Sequence, residues 1–284
     1  MKMKIDRAKK HVHHALNQLM EALDAGKSEK LTAYLRAMAK FHRYSIGNII
    51  LISLQKPDAQ HVAGYRTWRK LGRYVRRGEK GIAIMAPIVR KTEVVKDDIK
   101  EEDIVVAFKT VYVFDYSQTK GKSLPDFAHV QGHPRQYMDR LKEFIANRGI
   151  KLKYSNLFGS VEGLSGGGVI VIRQNLEPAE QFSVMVHELA HEILHHGQSI
   201  PVRKTAREVE AEATAFVVCQ AVGLDSNTSS SDYIQLYDGN KETLIESLER
   251  VQKTAMEIIE AITAQEQRPE KTMITAEPPV AEAA

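Results

Sequence analysis

The sequence predicts an α+β chain in two parts, with an N-terminal α+β domain over residues 1–125 and a second α+β domain over 126–265. Three observations carry this. Apolar residues recur at helical spacing through the first fifty positions. From His61 the pattern changes to alternation broken by turn residues. Helical periodicity then returns around a run with four histidines between His187 and His196.

The chain has 284 residues, 43% hydrophobic and 27% charged. That is globular composition, unlike a disordered or membrane-embedded chain. No window approaches ~18 consecutive apolar residues, so no bilayer span and no membrane partner is expected. The basic N-terminus leads into no apolar core of a signal peptide. Cys219 is the single cysteine, so no intrachain disulfide can form; with no signal, a reducing cytoplasm is the expected location. The net charge is only +4, but it is unevenly spread. Residues 61–80 carry seven Lys/Arg against one acid, whereas the segment from Glu266 carries four Glu against two bases.

In order, "AKKHVHHALNQLMEALDAG" is a helix closed by Gly26, "SEKLTAYLRAMAKF" a second started by Ser28, and "SIGNIILISLQKP" a third stopped by Pro57. "GYRTWRKLG" is a short helix. "RRGEKG" reads as a hairpin tip between strands, and "DIVVAFKTVYVFDYSQT" as a long strand of alternating β-branched and aromatic residues. A linker covers about 120–134. "RQYMDRLKEFIANRG" is an amphipathic helix closed by Gly149. "GLSGGGVIVIRQN" is a glycine loop and a strand, with "VIVI" as an edge on which an extended peptide could pair. Helices follow over 178–196, 205–222 and about 241–265. The tail, 266–284, is poor in large apolar residues and is expected to be disordered.

The histidine helix is the strongest chemical signal. Pro178 suits its first turn and Gly197 its end. His187 and His191 lie four apart, so both imidazoles project from one face and can share one metal at ~2.0–2.1 Å. Glu188 follows the first histidine, where a carboxylate serves as general base rather than ligand. His195 and His196, near the helix end, read as surface groups favoured by the helix dipole. A catalytic zinc takes three protein ligands, so a third must come from elsewhere. "TAREVEAEATAFVV" supplies it. Thr205 and Glu208 read as a capping box. Glu210 falls on the small-residue side with Ala206, Ala213 and Val217, where a carboxylate needs a partner or a metal. Glu210 is the expected ligand and Glu212 the fallback; Glu208 reads as solvated surface. "GKS" at Gly26 and Gly121 lacks the earlier glycine of a phosphate loop.

The basic segment interleaves Tyr65, Trp68 and Tyr74 with Arg66, Arg69, Lys70, Arg73, Arg76, Arg77 and Lys80. Cations attract phosphates and aromatic faces stack on unpaired bases, so the segment reads either as a surface for nucleic acid, single-stranded or duplex DNA, or as a solvated charged face around a core tryptophan.

"HELAH" followed by "EAEATAF" resembles the ImmA/IrrE-like zinc peptidases. The resemblance matches His187, His191 and Glu210 to ligands and Glu188 to the catalytic glutamate. "YSIGNIILISLQKPDAQHVAGYRTWRKLGRYVRRGEKGIAIMAPI" resembles the N-terminal domain of ArdC-type antirestriction proteins, with Tyr44, Asn48, Trp68, Arg73 and Lys80 among the matching positions. Tyr44 and Asn48 thereby join the candidate DNA-binding residues. The similarity runs to about residue 265. It implies a single-stranded-DNA-binding domain followed by a zincin-like metallopeptidase domain of gluzincin type, with zinc or another divalent metal such as manganese. It also implies a plasmid or other mobile-element protein that protects incoming DNA, in conjugation, from host restriction. The partner would be a host restriction enzyme or an unidentified protein substrate. "SSSDYIQLYDGN" departs from the family pattern, so no oxyanion role is assigned to Tyr233. Two rival readings share the same residues. One is a DNA-associated regulatory or repair metallopeptidase cleaving a repressor or crosslinked protein. The other is a non-enzymatic DNA shield with a structural metal.

Overall fold

A computed structural model describes residues 4–94, 100–123, 134–156, 161–196, 204–224 and 240–264. The expectations for the tail, the Gly197 cap, Tyr233 and the boundary at 125/126 lie outside these residues.

Three helices open the chain: α1 (Ile5–Asp24), α2 (Glu29–Lys40) and α3 (Ile46–Gln55). Leu16, Leu19 and Leu23 repeat at three and four, so α1 buries one stripe. Gly26, at φ 73°, ends it in the left-handed conformation a glycine adopts freely. The Ser45 side chain accepts from Asn48 N at the start of α3.

The next segment contains β1 (Val62–Gly64), α4 (Tyr65–Lys70), β2 (Arg73–Val75), β3 (Ile82–Val94), β4 (Lys100–Asp115) and β5 (Thr119–Gly121). They form one sheet in the order β1-β4-β3 and a two-stranded sheet β2-β5, all antiparallel. "RRGEKG" is therefore not a hairpin tip. It carries the chain from the small sheet to the large one, and the hairpin joins β3 to β4 instead. A side chain decides this: Gln118 Nε2 donates to Lys80 O at 2.8 Å and Gln118 O accepts from Arg76 N at 3.0 Å, pinning both ends of the connection.

The outer edge of β3 is covered by amides of α3. Asn48 pairs with Met85 N and O, and Gln55 with Ala83 N and O, at 2.8–3.0 Å. These side chains supply the ladder bonds a neighbouring strand would have made. Pro87, which has no N–H, follows two residues on, as suits an edge strand. At the end of β4, buried Asp115 accepts from Gln60 N, His61 N and Ser117 N at 2.8–3.0 Å. Burial alone would raise its carboxyl. The bonds from Ser117, Gln60 and His61 outweigh that, and Asp115 titrates below the usual carboxylate range.

The second half contains α5 (Arg135–Asn147), β6 (Lys151–Ser155), β7 (Gly163–Ser165), β8 (Val169–Arg173), α6 (Pro178–Leu194), α7 (Lys204–Ala221) and α8 (Lys241–Thr263). β8 runs parallel to β6 and antiparallel to β7, so "VIVI" is the centre of this sheet. The edge beside the histidine helix is β7. Ile170 and Ile172 are fully buried beneath α6, and such a face belongs to a central strand. Leu16, Leu35, Ile52, Leu141, Phe182, Phe216 and Ile258 belong to one apolar cluster, so the two halves share a core. α8 joins them: Arg43 Nε bonds Glu260 at 3.1 Å, Lys241 Nζ donates to Asn17 at 2.9 Å, and Gln252 Nε2 donates to His42 O. Among the described residues no helix is long and apolar enough to cross a membrane.

Candidate metal centre and nucleic-acid interface

Pro178 occupies the first turn of α6, and Phe182, Met185, Val186 and Leu189 bury most of its circumference. His187 and His191 emerge on the remaining face with their Nε2 atoms 3.1 Å apart. Glu208, one turn into α7, brings Oε2 to 3.3 Å from His191 Nε2 and 3.7 Å from His187 Nε2. These three donors lie within 4.8 Å of one another. Two imidazole nitrogens and a carboxylate oxygen are a donor set that suits zinc or manganese. Glu212, one further turn along α7, places Oε2 3.3 Å from His187 Nδ1. A carboxylate on the outer ring nitrogen orients an imidazole ligand and makes it more basic. Burial pushes the His187 imidazole down, but Glu212, with Glu188 and Glu208, outweighs it, and His187 titrates above the ordinary value. His191, buried beside that positive neighbour, titrates below it.

The cluster sits in an open cleft of about 460 Å³ whose other wall is β7 and its glycine turn. Glu188 is 7% exposed, beside Gly163. Glu192 Oε2 accepts from Gly168 N at 2.9 Å and clips the turn to α6. The cleft thus has three convergent donors, a buried carboxylate one residue from the first of them, and a backbone edge alongside.

Glu210 is not in this cluster, contrary to the sequence expectation. It is fully buried, with Oε1 accepting from Ser247 Oγ at 2.7 Å and from Arg250 Nε at 3.1 Å, and with Oε2 3.7 Å from His195 Nε2 at the end of α6. A carboxylate buried there does need a partner, and the partner is an arginine of α8. Glu208 and Glu212 repeat the four-residue spacing of His187 and His191. That matched pair of spacings was the available signal for which face of α7 meets α6. His195 also departs from the surface reading: its side chain is 6% exposed, its Nε2 is 3.2 Å from Arg207 O, and burial lowers it to about 4.

The ten candidate DNA-binding residues divide. Trp68 is 2% exposed and donates Nε1 to Phe114 O at 2.8 Å. Arg73 is 5% exposed, donates to Thr119 Oγ1 at 2.8 Å and lies over the Tyr116 ring. Asn48 is spent on Met85, and Tyr44 donates to Val62 O at 3.2 Å. None of these four offers a free face to a strand of nucleic acid. Tyr65, Arg69, Lys70, Arg77 and Lys80 are exposed; Arg76 is exposed but bound to Glu79 at 2.8 Å and to Ser117 O. Tyr74, the third ring of the basic segment, is half exposed. It sits opposite exposed Lys120 across the β2–β5 pair, and Arg66 is exposed nearby on α4. The rings that offer a stacking face are Tyr65 and Tyr74, not Trp68.

The family model for the N-terminal domain of the anti-restriction factor ArdC matches residues 9–114, and the model for the IrrE N-terminal-like domain matches residues 138–224. The first half of the chain thus carries an ArdC-type N-terminal domain. The second half has a metallopeptidase-like fold. An uncharacterized protein of Bacillus anthracis is 27% identical over 272 residues, covering 79% of this chain and 46% of its own length. The chain thus spans about half the length of that curated relative. Among solved structures, the metal-free antirestriction ArdC protein from the R388 plasmid superposes with a TM-score of 0.53 at 19% identity, covering 89% of this chain and 98% of that one. The Mn(II)-bound form of the same protein gives 0.52 at 18% identity, covering 88% and 97%. At that identity the likeness concerns the fold. The ArdC match ends before α5 and the IrrE-like match before α8, so α8 lies outside both.

Proposed function

We propose that this chain is a DNA-protecting antirestriction protein with a divalent-metal peptidase centre in its second half. The observation that carries the reading is the convergence of His187, His191 and Glu208 beside buried Glu188 in an open cleft. His187, His191 and Glu208 would hold the metal, in place of the set with Glu210. When bound, a zinc or manganese ion supplies a Lewis acid for water and for a peptide carbonyl. Glu188 would take the proton from the attacking water and pass it to the leaving amine. Glu212 would hold the His187 ring in place. The cleft is open and runs along the edge strand β7, on which an extended peptide could pair, and this favours a protein substrate.

The exposed strip of Tyr65, Arg66, Arg69, Lys70, Tyr74 and Lys120 supports single-stranded DNA as the partner of the first half. The cations would follow the phosphates and Tyr74 would stack on a base. The shared core, closed by α8, would keep the two activities on one rigid body.

One experiment tests both halves. Restriction of incoming DNA is measured in cells carrying wild type, Glu188→Gln, or Arg69/Lys70/Tyr74→Ala. Loss of protection with both variants supports the reading. Protection that survives Glu188→Gln but not the triple substitution removes the peptidase from the function and leaves a DNA shield.

A further inference from the structure

The glycine at position 163 is unexplained by its own backbone. Gly163 lies in β7, pairs with Ile172 of β8, and is absent from the residues with positive φ. Any residue could adopt this extended conformation, so the requirement comes from space. A Cβ built there would stand 2.5 Å from Glu188 Oε1, 2.7 Å from Glu188 Cγ and 2.7 Å from Val184 Cγ1. The Glu188 side chain therefore lies against the bare backbone of β7. Glu188 is buried on the α6 side and has little room to retreat. The strand is held in this register from α6 itself. Glu192, one turn beyond Glu188, binds Gly168 N, and His196, a further turn on, lies 3.3 Å from where a Cβ of Gly167 would be. Glu188 and Glu192 of α6, with His196 just past its end, thus line β7 and its turn.

We infer that Gly163 is a positioning residue for Glu188: the missing side chain seats the carboxylate against the edge strand and sets its distance from His187 and His191. This rests on Glu188 acting as the base in the proposed reaction, and it adds a residue of β7 to that machinery. A side chain at 163 would displace the carboxylate without touching the three metal donors. Binding the metal and aiming the base are then separable properties of one cleft.

A double-mutant cycle tests it. Melting temperature and Mn(II) affinity, the latter by electron paramagnetic resonance, are measured for wild type, G163A, E188A and G163A/E188A, with E188Q and G163A/E188Q as isosteric controls. G163A is expected to lower the melting temperature by several degrees in the wild-type and E188Q backgrounds. In the E188A background two of the three blocking atoms are gone and only Val184 Cγ1 remains, so the loss should be clearly smaller. Mn(II) affinity should be the same for wild type and G163A. If G163A does not fold, the same cycle is run in a V184A background, which removes the other obstructing atom. Equal thermal losses in the wild-type and E188A backgrounds would overturn the assignment, as would a G163A protein that binds Mn(II) more weakly. On a peptide substrate G163A should lower kcat, and G163A/E188Q should be no slower than E188Q. A wild type with no peptidase activity would sink the proposed function while the thermal cycle still decides whether Gly163 seats Glu188.

Discussion

The metal centre and the basic segment were both read from short stretches of sequence, and the structure treats them differently. His187, Glu188 and His191 stand together in one cleft. In the basic segment, Trp68 and Arg73 turn inward while Tyr65, Arg69, Lys70 and Tyr74 stay outside. The lesson concerns where the geometry comes from. Two histidines four apart on a helix face the same way whatever the rest of the fold does. Interleaved cations and rings acquire faces only after the chain has chosen its helices, strands and sheet partners. Here α4 and β2 change the periodicity within a few residues, so Lys70 stays outside while Arg73, three residues on, turns inward.

The comparison can be broken most forcefully at Arg250. Arg250→Ala leaves fully buried Glu210 without its cation, a loss expected to cost ~3–5 kcal/mol in denaturant unfolding. The same variant should bind Mn(II) as wild type does, because in the proposed site Glu208 and not Glu210 holds the metal. Unchanged stability with lost metal affinity would restore Glu210 to the metal site. Trp68→Ala should be of similar size, ~3–5 kcal/mol, because it empties a core position. Any loss of DNA binding it causes should track unfolding. Tight DNA binding lost by a fully folded Trp68→Ala protein would return that ring to the interface.

Smaller effects sharpen the contrast. Glu208→Ala should abolish tight Mn(II) binding with little change in melting temperature. Glu212→Ala, acting on the outer nitrogen of His187, should weaken Mn(II) by ~10–100-fold. Tyr74→Ala should leave stability unchanged and cost ~1–3 kcal/mol in affinity for a single-stranded oligonucleotide. The smallest is a pH effect. Asp115 has a depressed folded pKa, so it contributes stability above the unfolded carboxylate pKa that is lost as pH falls through the folded value. Asp115→Asn should flatten the acid limb of the stability curve and leave the neutral plateau lower.

Much of the fold was legible because its signals are local. Helical spacing marked α1 to α3 and α5 to α8, and alternation marked β4. The hairpin between β3 and β4 was misplaced because Gly78 and its neighbours make a turn without saying which strands it joins. That depended on Gln118, a long way along the chain, reaching back to Lys80. The edge of the second sheet was misassigned for the same reason: "VIVI" is apolar enough for a strand, but only pairing on both sides makes it central.

By itself the sequence determined the α+β class, the His187–Glu188–His191 face and the need of a buried Glu210 for a partner. Each follows from the period of a single element or the cost of burying a charge. Only the tertiary structure decided that Arg250 is that partner, that Glu208 completes the donor cluster, and that Tyr65 and Tyr74 rather than Trp68 show their rings to solvent. These are choices between faces of one element. Periodicity shows which residues share a face, and only packing against α6, α8 or β4 decides what that face meets.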